Sequence, residues 1–284
     1  MTPVFRYSYN VIGFGGEDVA VSIDRLARLG YDAVEVEGEP HGHDAKRIRK
    51  LAEDAGLTID SVCPNFTERR DLSHPDPEVR SDAVAYLRGV AEFAAEVGAP
   101  LFIVAPTAYA RVQSITDPLD EWLWAVEGIR TAGDHASSLG VDLTLECWNR
   151  YGTYMLNRLE DGARMWRETG LANGGLMADI FHMNIEERSI SGSILAHADL
   201  LNHVHLSDSN RLAPGLGHVD FAEVLQALAE LGCGGSLAFE LIPSLPDVLE
   251  KDDPPPTFDD VAGQALDHMK EVERLLAARR LEQD

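Results

Sequence analysis

Four apolar runs in the second half of the chain each end on a side chain that can bind a metal or transfer a proton. These side chains are Glu146 in LTLECWNR, Asp179 in GLMADIFHM, His205 in NHVHLSDSNR and Glu240 in SLAFELIP. A single acid after a strand usually only begins a polar loop, but four compatible side chains after consecutive runs are harder to attribute to solvation. Three carboxylates and an imidazole suit Mn²⁺, Co²⁺ or Mg²⁺ and leave open positions for a substrate.

The run that contains His205 holds a second histidine, His203. Side chains two residues apart on a strand point to the same face, so either imidazole could be the ligand. His205 lies nearer the carboxyl end of the run and is therefore the favoured ligand. We expect His203 to support that ligand or to belong to the core.

The elements that must position these side chains are eight short β-rich runs that alternate with amphipathic helical segments. The runs begin near Val4 and at Asp32, Thr58, Leu101, Asp142, Gly175, Asn202 and Ser236. Eight βα units in this length predict a closed (β/α)8 TIM barrel, one domain over residues 1–284, in which the carboxyl ends of the strands meet at one mouth. No GxGxxG follows the first strand, which disfavours a dinucleotide-binding fold. The segment PSLPDVLEKDDPPPTFDD from Pro243 is predicted to be a long βα loop, with a lid as one interpretation.

The order of the strands suggests a reaction. Strands five and eight lie three positions apart round an eight-stranded barrel, so Glu146 and Glu240 should approach a substrate from nearly opposite sides. A carboxylate on each face of one carbon suits removal of a proton α to a carbonyl on one face and its return on the other. A metal that holds the neighbouring oxygens would stabilise the enediolate, so we expect Glu146 and Glu240 to form an acid/base pair.

Composition excludes several classes of protein. The 284 residues include 48 Asp and Glu against 24 Lys and Arg, a formal charge of −24 that argues against nucleic-acid binding and against a nuclease built on the same barrel. No run approaches the roughly 18 apolar residues of a membrane span, and the N-terminus lacks the pattern of a secretory signal. Cys63, Cys147 and Cys233 form no CxxC pair and are expected to be reduced thiols of a cytoplasmic protein.

Four motifs resemble those of the ketose 3-epimerases, the D-tagatose and D-psicose 3-epimerase group of the xylose isomerase-like TIM barrels. They are ECWNRYGTYMLN, DIFHMNIEE, HVHLSDSNRLAPGLGHVDF and FELI, between about residues 140 and 242. The resemblance implies that Glu146, Asp179, His205 and Glu240 bind one divalent metal ion, most often Mn²⁺, and that Glu146 and Glu240 also transfer the proton. It implies that His182 and Arg211 contact the substrate near its carbonyl oxygen. Glu186 and Glu187 also match, but a helix-start or surface role is expected for them, and analogy suggests a homodimer or homotetramer.

One position departs from the resemblance. Gly152 in NRYGTY stands where these epimerases usually carry a glutamate that contacts the end of the substrate. The absence of that glutamate side chain is expected to remove a polar contact and leave space. Phe66, Tyr109 and Trp148 are candidates for the wall of the pocket. We therefore predict a sugar epimerase that acts on a free ketose. The alternative is a lyase that acts on 3-keto-glycosides or keto-inositols, as in a C-glycoside deglycosidase that needs a second kind of subunit, and retention of both glutamates argues against a sugar-binding barrel without catalysis.

Overall fold

A computed structural model describes residues 5–232, 235–242 and 257–281. Within these residues the β-strands are β1 Arg6–Tyr9, β2 Ala33–Glu37, β3 Thr58–Cys63, β4 Leu101–Val104, β5 Asp142–Glu146, β6 Gly174–Asp179, β7 Leu201–Leu206 and β8 Ser236–Phe239. The α-helices are α1 Val19–Leu29, α2 Ala45–Ala55, α3 Pro77–Val97, α4 Pro118–Ser138, α5 Leu159–Thr169, α6 Ile180–Glu186, α7 Ile190–Ala196, α8 Phe221–Glu230 and α9 Phe258–Leu281.

The eight strands form one parallel sheet in the order β1, β8, β7, β6, β5, β4, β3, β2. A parallel bridge between Asn10, just after β1, and Glu35 of β2 joins the two ends of this order. The predicted TIM barrel is therefore confirmed, and each predicted β-rich run overlaps one of the observed strands. Residues 243–256 of the predicted long loop lie outside the described residues, as does Cys233, while Cys63 and Cys147 are buried free thiols.

Helix boundaries follow from local chemistry at both ends. The Asp18, Asp76 and Asp117 carboxylates accept hydrogen bonds from the backbone amides of the first turns of α1, α3 and α4. Gly30 and Gly98 end α1 and α3 in the left-handed conformation, as their positions in the sequence indicate. No helix among the described residues combines the length and apolarity that a membrane span requires.

The register between strands places the predicted ligands at the same end of the barrel. Asp179 lies directly opposite His205 across the β6–β7 pair, and Glu146 pairs with Met177, two residues before Asp179. Gly174 makes the close approach of β5 and β6 possible, because its φ is 134° and a Cβ there would lie 2.0 Å from the Leu143 carbonyl oxygen. The last residues of β5 and β6 therefore present their side chains to the same end of the barrel.

Candidate active site

The four predicted ligands meet at the carboxyl ends of β5 to β8. Glu146, Asp179, His205 and Glu240 each offer one ligand atom, and these atoms all lie within 4.8 Å of one another. His205 Nδ1 lies 2.9 Å from Glu240 Oε2 and 3.7 Å from Asp179 Oδ2. Only Glu240 is partly open, with 18% of its side chain exposed. The barrel thus brings together every member of the set that the sequence predicts.

The chemistry of this group fits a divalent cation. Burial, together with the nearby Asp179 carboxylate, raises the pKa of Glu146 to about 7. Three carboxylates this close together, two of them buried, are costly unless positive charge accompanies them. Oxygen and imidazole donors at this spacing are those that Mn²⁺, Co²⁺ and Mg²⁺ accept, so the residues present fit the metal that the sequence suggests.

Arg211 supplies one positive charge beside the acids. Its Nη1 donates to both carboxylate oxygens of Asp179, at 2.8 and 2.7 Å, and its Nη2 donates to Glu240. The guanidinium also lies over the ring of Phe181, 4.8 Å from the ring centroid. Although burial raises the pKa of Asp179, Arg211 and the neighbouring histidines hold that pKa below its usual range. Arg211 therefore lies beside the acidic cluster and lines the cavity above it.

His182 presents a hydrogen-bond donor to the same space. The Asn149 backbone amide donates to His182 Nδ1 over 3.1 Å, so the ring hydrogen of the neutral imidazole lies on Nε2. Nε2 lies 3.9 Å from Glu146 Oε1 and 3.8 Å from Asp179 Oδ2. Burial lowers the pKa of His182 to about 4, so the ring stays neutral. It can therefore donate to a substrate oxygen without adding a charge.

Glu35 of β2 is a residue of the site that sequence reasoning missed. Its fully buried carboxylate lies 2.8 Å from His205 Nε2 and 2.8 Å from His203 Nε2, and it accepts a 2.5 Å hydrogen bond from Ser61 Oγ. Glu35, His203 and His205 are also close enough together to form a metal group. They are enclosed and already hydrogen-bonded to one another, so we interpret Glu35 as the group that orients His205 toward the acids. This arrangement agrees with the expectation that His203 supports His205. Glu35 lies in the middle of a strand, and its sequence neighbours do not indicate that it belongs to the site.

The expectation of a helix-start or surface role is wrong for Glu186 but agrees with the contacts of Glu187, which bonds to the first residue of α5. Glu186 is buried, and its carboxylate accepts hydrogen bonds from the Arg150 backbone amide and side chain at 2.7 to 2.8 Å. Glu187 is half-buried and accepts a 2.9 Å bond from the Leu159 amide. Because α6 is short and packs beside the β5–α5 loop, both acids anchor that loop. They thereby help to hold Asn149 against His182.

The prediction that Gly152 leaves space is also wrong. A Cβ at Gly152 would lie 3.0 Å from Trp148 Cβ and 3.2 Å from Tyr109 Cε2, so aromatic side chains already fill this position. Trp148 packs edge-to-face against Phe66 and Tyr109, with ring centroids 5.9 and 5.2 Å apart. As the sequence suggests, all three rings line the cavity above the acids, which has a volume of about 900 Å³.

Comparisons with known proteins agree with this fold and site. The profile of the family described as "Xylose isomerase-like TIM barrel" matches residues 23–272. The D-psicose 3-epimerase of Ruminiclostridium cellulolyticum is 30% identical over 78% of this chain and 78% of its own length. The 3-dehydro-D-guloside 4-epimerase of Escherichia coli is 27% identical over 80% of this chain and 88% of its own length.

A solved structure shows the same likeness in three dimensions. The crystal structure of the D-psicose 3-epimerase of Clostridium cellulolyticum with D-tagatose superposes with a TM-score of 0.86 and 26% identity, covering 94% of this chain and 99% of the other. The family match spans most of the chain, and the alignment with the first relative covers more than two thirds of both proteins. The chain therefore belongs to the xylose isomerase-like TIM barrel family, within its group of ketose 3-epimerases, and is an enzyme of the epimerase class.

Proposed function

We propose that this protein is a divalent-metal-dependent epimerase that inverts the carbon next to the carbonyl group of a ketose, at C3. The observation that carries the proposal is the convergence of Glu146, Asp179, His205 and Glu240 within 4.8 Å at the mouth of the barrel. Relatives named as D-psicose and ketose 3-epimerases support the choice of reaction and substrate class. Mn²⁺ is the ion that we expect in the site, with Co²⁺ or Mg²⁺ as substitutes.

The metal, held by the four ligands, would supply positive charge that stabilises an oxyanion on the substrate. Glu146 and Glu240 act on the carbon between them: one carboxylate takes the proton from the C–H bond, and the electron pair of that bond moves toward the carbonyl oxygen. The other carboxyl group returns a proton on the opposite face, which inverts the carbon.

His182 and Arg211 act on the oxygen that gains charge in this step. The hydrogen on His182 Nε2 points into the cavity, and a neutral donor there can bond to a carbonyl oxygen in both its charged and uncharged forms. Arg211 adds a fixed positive charge that both Asp179 and Phe181 hold in position. Together they stabilise the enediolate without transferring the proton themselves.

The test is uptake of solvent deuterium by ketoses incubated with the Mn²⁺-loaded protein. Because general acid–base groups contribute about 10² to 10⁴ in rate, we expect Glu240→Gln to lower the exchange rate by at least about 100-fold. The matched control is Glu53→Gln, the same change at an exposed helix position on α2, which should leave exchange unchanged. An exchange rate in Glu240→Gln equal to that of the wild type would contradict the proposal. So would metal analysis that finds no divalent ion bound to the purified protein.

A second candidate is action on a 3-keto-glycoside, with either epimerisation or loss of the group attached next to the reacting carbon. The cavity of about 900 Å³ and its aromatic wall favour it, as does the relative named 3-dehydro-D-guloside 4-epimerase. Product analysis separates the outcomes, because a lyase releases the attached group and an epimerase retains it. A deglycosidase would also need a second kind of subunit, so full lyase activity of the protein purified alone would contradict that version.

We also propose that the protein forms a homodimer or homotetramer. Apolar side chains lie exposed on the β4–α4 loop and the start of α4, where a second copy could cover them: Val112, Ile115, Leu119 and Leu123 are 48 to 60% exposed. Light scattering coupled to gel filtration checks this assignment. A monomer of 31.1 kDa would contradict it.

A further inference from the structure

A second group of polar side chains faces the cavity from the side opposite the acidic cluster. Glu39 follows β2, and Asn65 and Arg70 follow β3. All three line the cavity that also contains Glu146 and Glu240. In the strand order β2 lies across the barrel from β6, and β3 from β7, so these side chains reach the cavity from its far side. We call Glu39, Asn65 and Arg70 the outer platform.

The outer platform is held rigid by its own contacts. Arg70 Nη1 and Nη2 donate to the two carboxylate oxygens of Glu39, at 2.5 and 2.8 Å, and Nη1 also donates to the Asn65 carbonyl oxygen at 2.9 Å. The guanidinium stacks on the ring of Tyr86, 3.8 Å from its centroid. A bidentate and stacked arginine has little freedom left to lose, so a ligand that binds it incurs a small entropic cost.

The loops that carry the outer platform are fixed to each other. A Cβ at Gly38 would lie 2.9 Å from Pro64 Cα, so only glycine allows the β2–α2 and β3–α3 loops to come this close. The Gly38 amide donates to the Cys63 carbonyl oxygen at 2.8 Å. The Tyr86 hydroxyl donates to the Gly38 carbonyl oxygen and accepts from the Asn65 amide. This geometry indicates a built site at the edge of the cavity.

Charge decides which ligands the outer platform can take. Asn65 Nδ2 donates to Glu37 at 2.8 Å, so two carboxylates, Glu37 and Glu39, accompany the single guanidinium of Arg70. The local charge is negative, which disfavours phosphates and carboxylates. A guanidinium carries five N–H donors, of which the bonds given above use three, and the carboxylates retain lone pairs. Donors and acceptors side by side match hydroxyl groups, which both donate and accept.

Flat apolar surface connects the outer platform with the reaction centre. The rings of Phe66, Trp148 and Tyr109 line the cavity, and Tyr109 is 60% exposed despite its contact with Trp148. Aromatic faces of this kind pack against the C–H faces of sugar rings. The cavity of about 900 Å³ also stands at the upper end of the roughly 300 to 1,000 Å³ typical of ligand sites, so there is room beyond the ring that reacts.

We propose that the outer platform binds a second, uncharged hydroxylated ring, so that a two-ring keto-glycoside, the substrate class of the second candidate above, binds more tightly than a one-ring ketone. One ring carries the ketone to Glu146 and Glu240, and the other bonds to Glu39, Asn65 and Arg70. The inference rests on the proposed function, because it assumes that a carbon next to a ketone exchanges its proton at the acidic cluster.

The test compares two ketone substrates of the Mn²⁺-loaded enzyme. Methyl 3-dehydroglucoside has one ring, and 3-dehydromaltose has a second sugar ring attached to the oxidised ring. Solvent deuterium uptake at the carbon next to the ketone gives kcat and KM for each. We expect the wild-type KM to be about tenfold lower for the two-ring substrate, which corresponds to one or two added hydrogen bonds to charged groups. Equal KM values for the two substrates would overturn the proposal.

Two conservative variants locate the effect. Arg70→Lys keeps the charge but loses the bidentate geometry, and Glu39→Gln keeps the shape but loses the charge. Each should raise KM for the two-ring substrate by about tenfold and leave kcat/KM for the one-ring substrate unchanged. Arg49→Lys, in an exposed ion pair with Glu53 on α2, is the matched control. Equal losses on both substrates, in variants with wild-type unfolding temperatures, would contradict the assignment.

The wild-type comparison separates failure of this inference from failure of the proposed function. Absence of deuterium uptake from every ketose and keto-glycoside contradicts the proposed function itself. Uptake from one-ring ketones without any advantage for the second ring leaves the reaction in place and removes only the role of the outer platform.

Discussion

Replacing Glu35 by glutamine should weaken the binding of a divalent metal, even though Glu35 acts only through the ring of His205. The Glu35 carboxylate lies 2.8 Å from both His203 Nε2 and His205 Nε2 and accepts a third bond from Ser61. A glutamine offers one oxygen, and its NH₂ group cannot accept. At least one imidazole must therefore either lose its partner or change its tautomer in a buried place. If that imidazole is His205, nothing keeps its Nδ1 lone pair directed at Asp179 and Glu240.

The size of the effect follows from these contacts. Losing the group that orients a metal-binding histidine typically costs about 10- to 100-fold in affinity for the metal, or about 1.4 to 2.8 kcal/mol. A buried imidazole N–H without a partner also lowers the free energy of unfolding by about 1 to 3 kcal/mol. Glu35→Gln should therefore bind Mn²⁺ with a Kd at least about tenfold higher and unfold at a lower temperature even without metal.

Calorimetric titration of the metal-free protein with Mn²⁺ measures the affinity, and thermal unfolding measures the stability. Glu37→Gln is the matched control, because it makes the same change two residues along β2, where the side chain contacts His43 and Asn65. That control should bind Mn²⁺ as the wild type does. A wild-type Kd in Glu35→Gln would refute the argument that Glu35 orients the ligand, and equal losses in both variants would refute its specificity.

Further predictions concern the substrate contacts, the aromatic wall and the metal. His182→Leu should lower kcat for deuterium exchange by about 100-fold, because the ring donates to the substrate. The Mn²⁺ affinity should stay within about twofold of the wild type, because His182 does not belong to the four-ligand group. An unchanged kcat would contradict this role. Gly152→Ala should lower the free energy of unfolding by about 1 to 3 kcal/mol, since the new methyl group must displace Trp148 or Tyr109, and unchanged denaturant unfolding would show that the wall yields. Protein in Mn²⁺ at 100 times the Kd should lose about 5 °C in Tm when the metal is removed by chelation. A Tm insensitive to EDTA would argue against a bound ion.

The sequence alone determined the barrel and the acidic cluster. The strands are short, and most of the helices begin at a capping aspartate or end at a glycine, so the eight units could be recognised from neighbouring residues only. Because a parallel barrel brings all strand ends to one mouth, Glu146, Asp179, His205 and Glu240 could be placed together from four positions on four strands. These predictions required only the periodicity of the sequence and the convergence of strand ends in a barrel. They did not require the direction of any individual side chain.

The tertiary structure decided the contacts that link distant parts of the chain. Glu35 lies 170 residues from His205, and nothing about an acid in the middle of a strand indicates which ring it meets. Glu186 looks like a surface residue until the β5–α5 loop covers it, and Gly152 looks like open space until Tyr109 fills it. Ligands at strand ends follow from backbone periodicity, which is local. Partners, pockets and the outer platform depend on how loops from different strands pack against one another, and that packing is set by the whole chain at once.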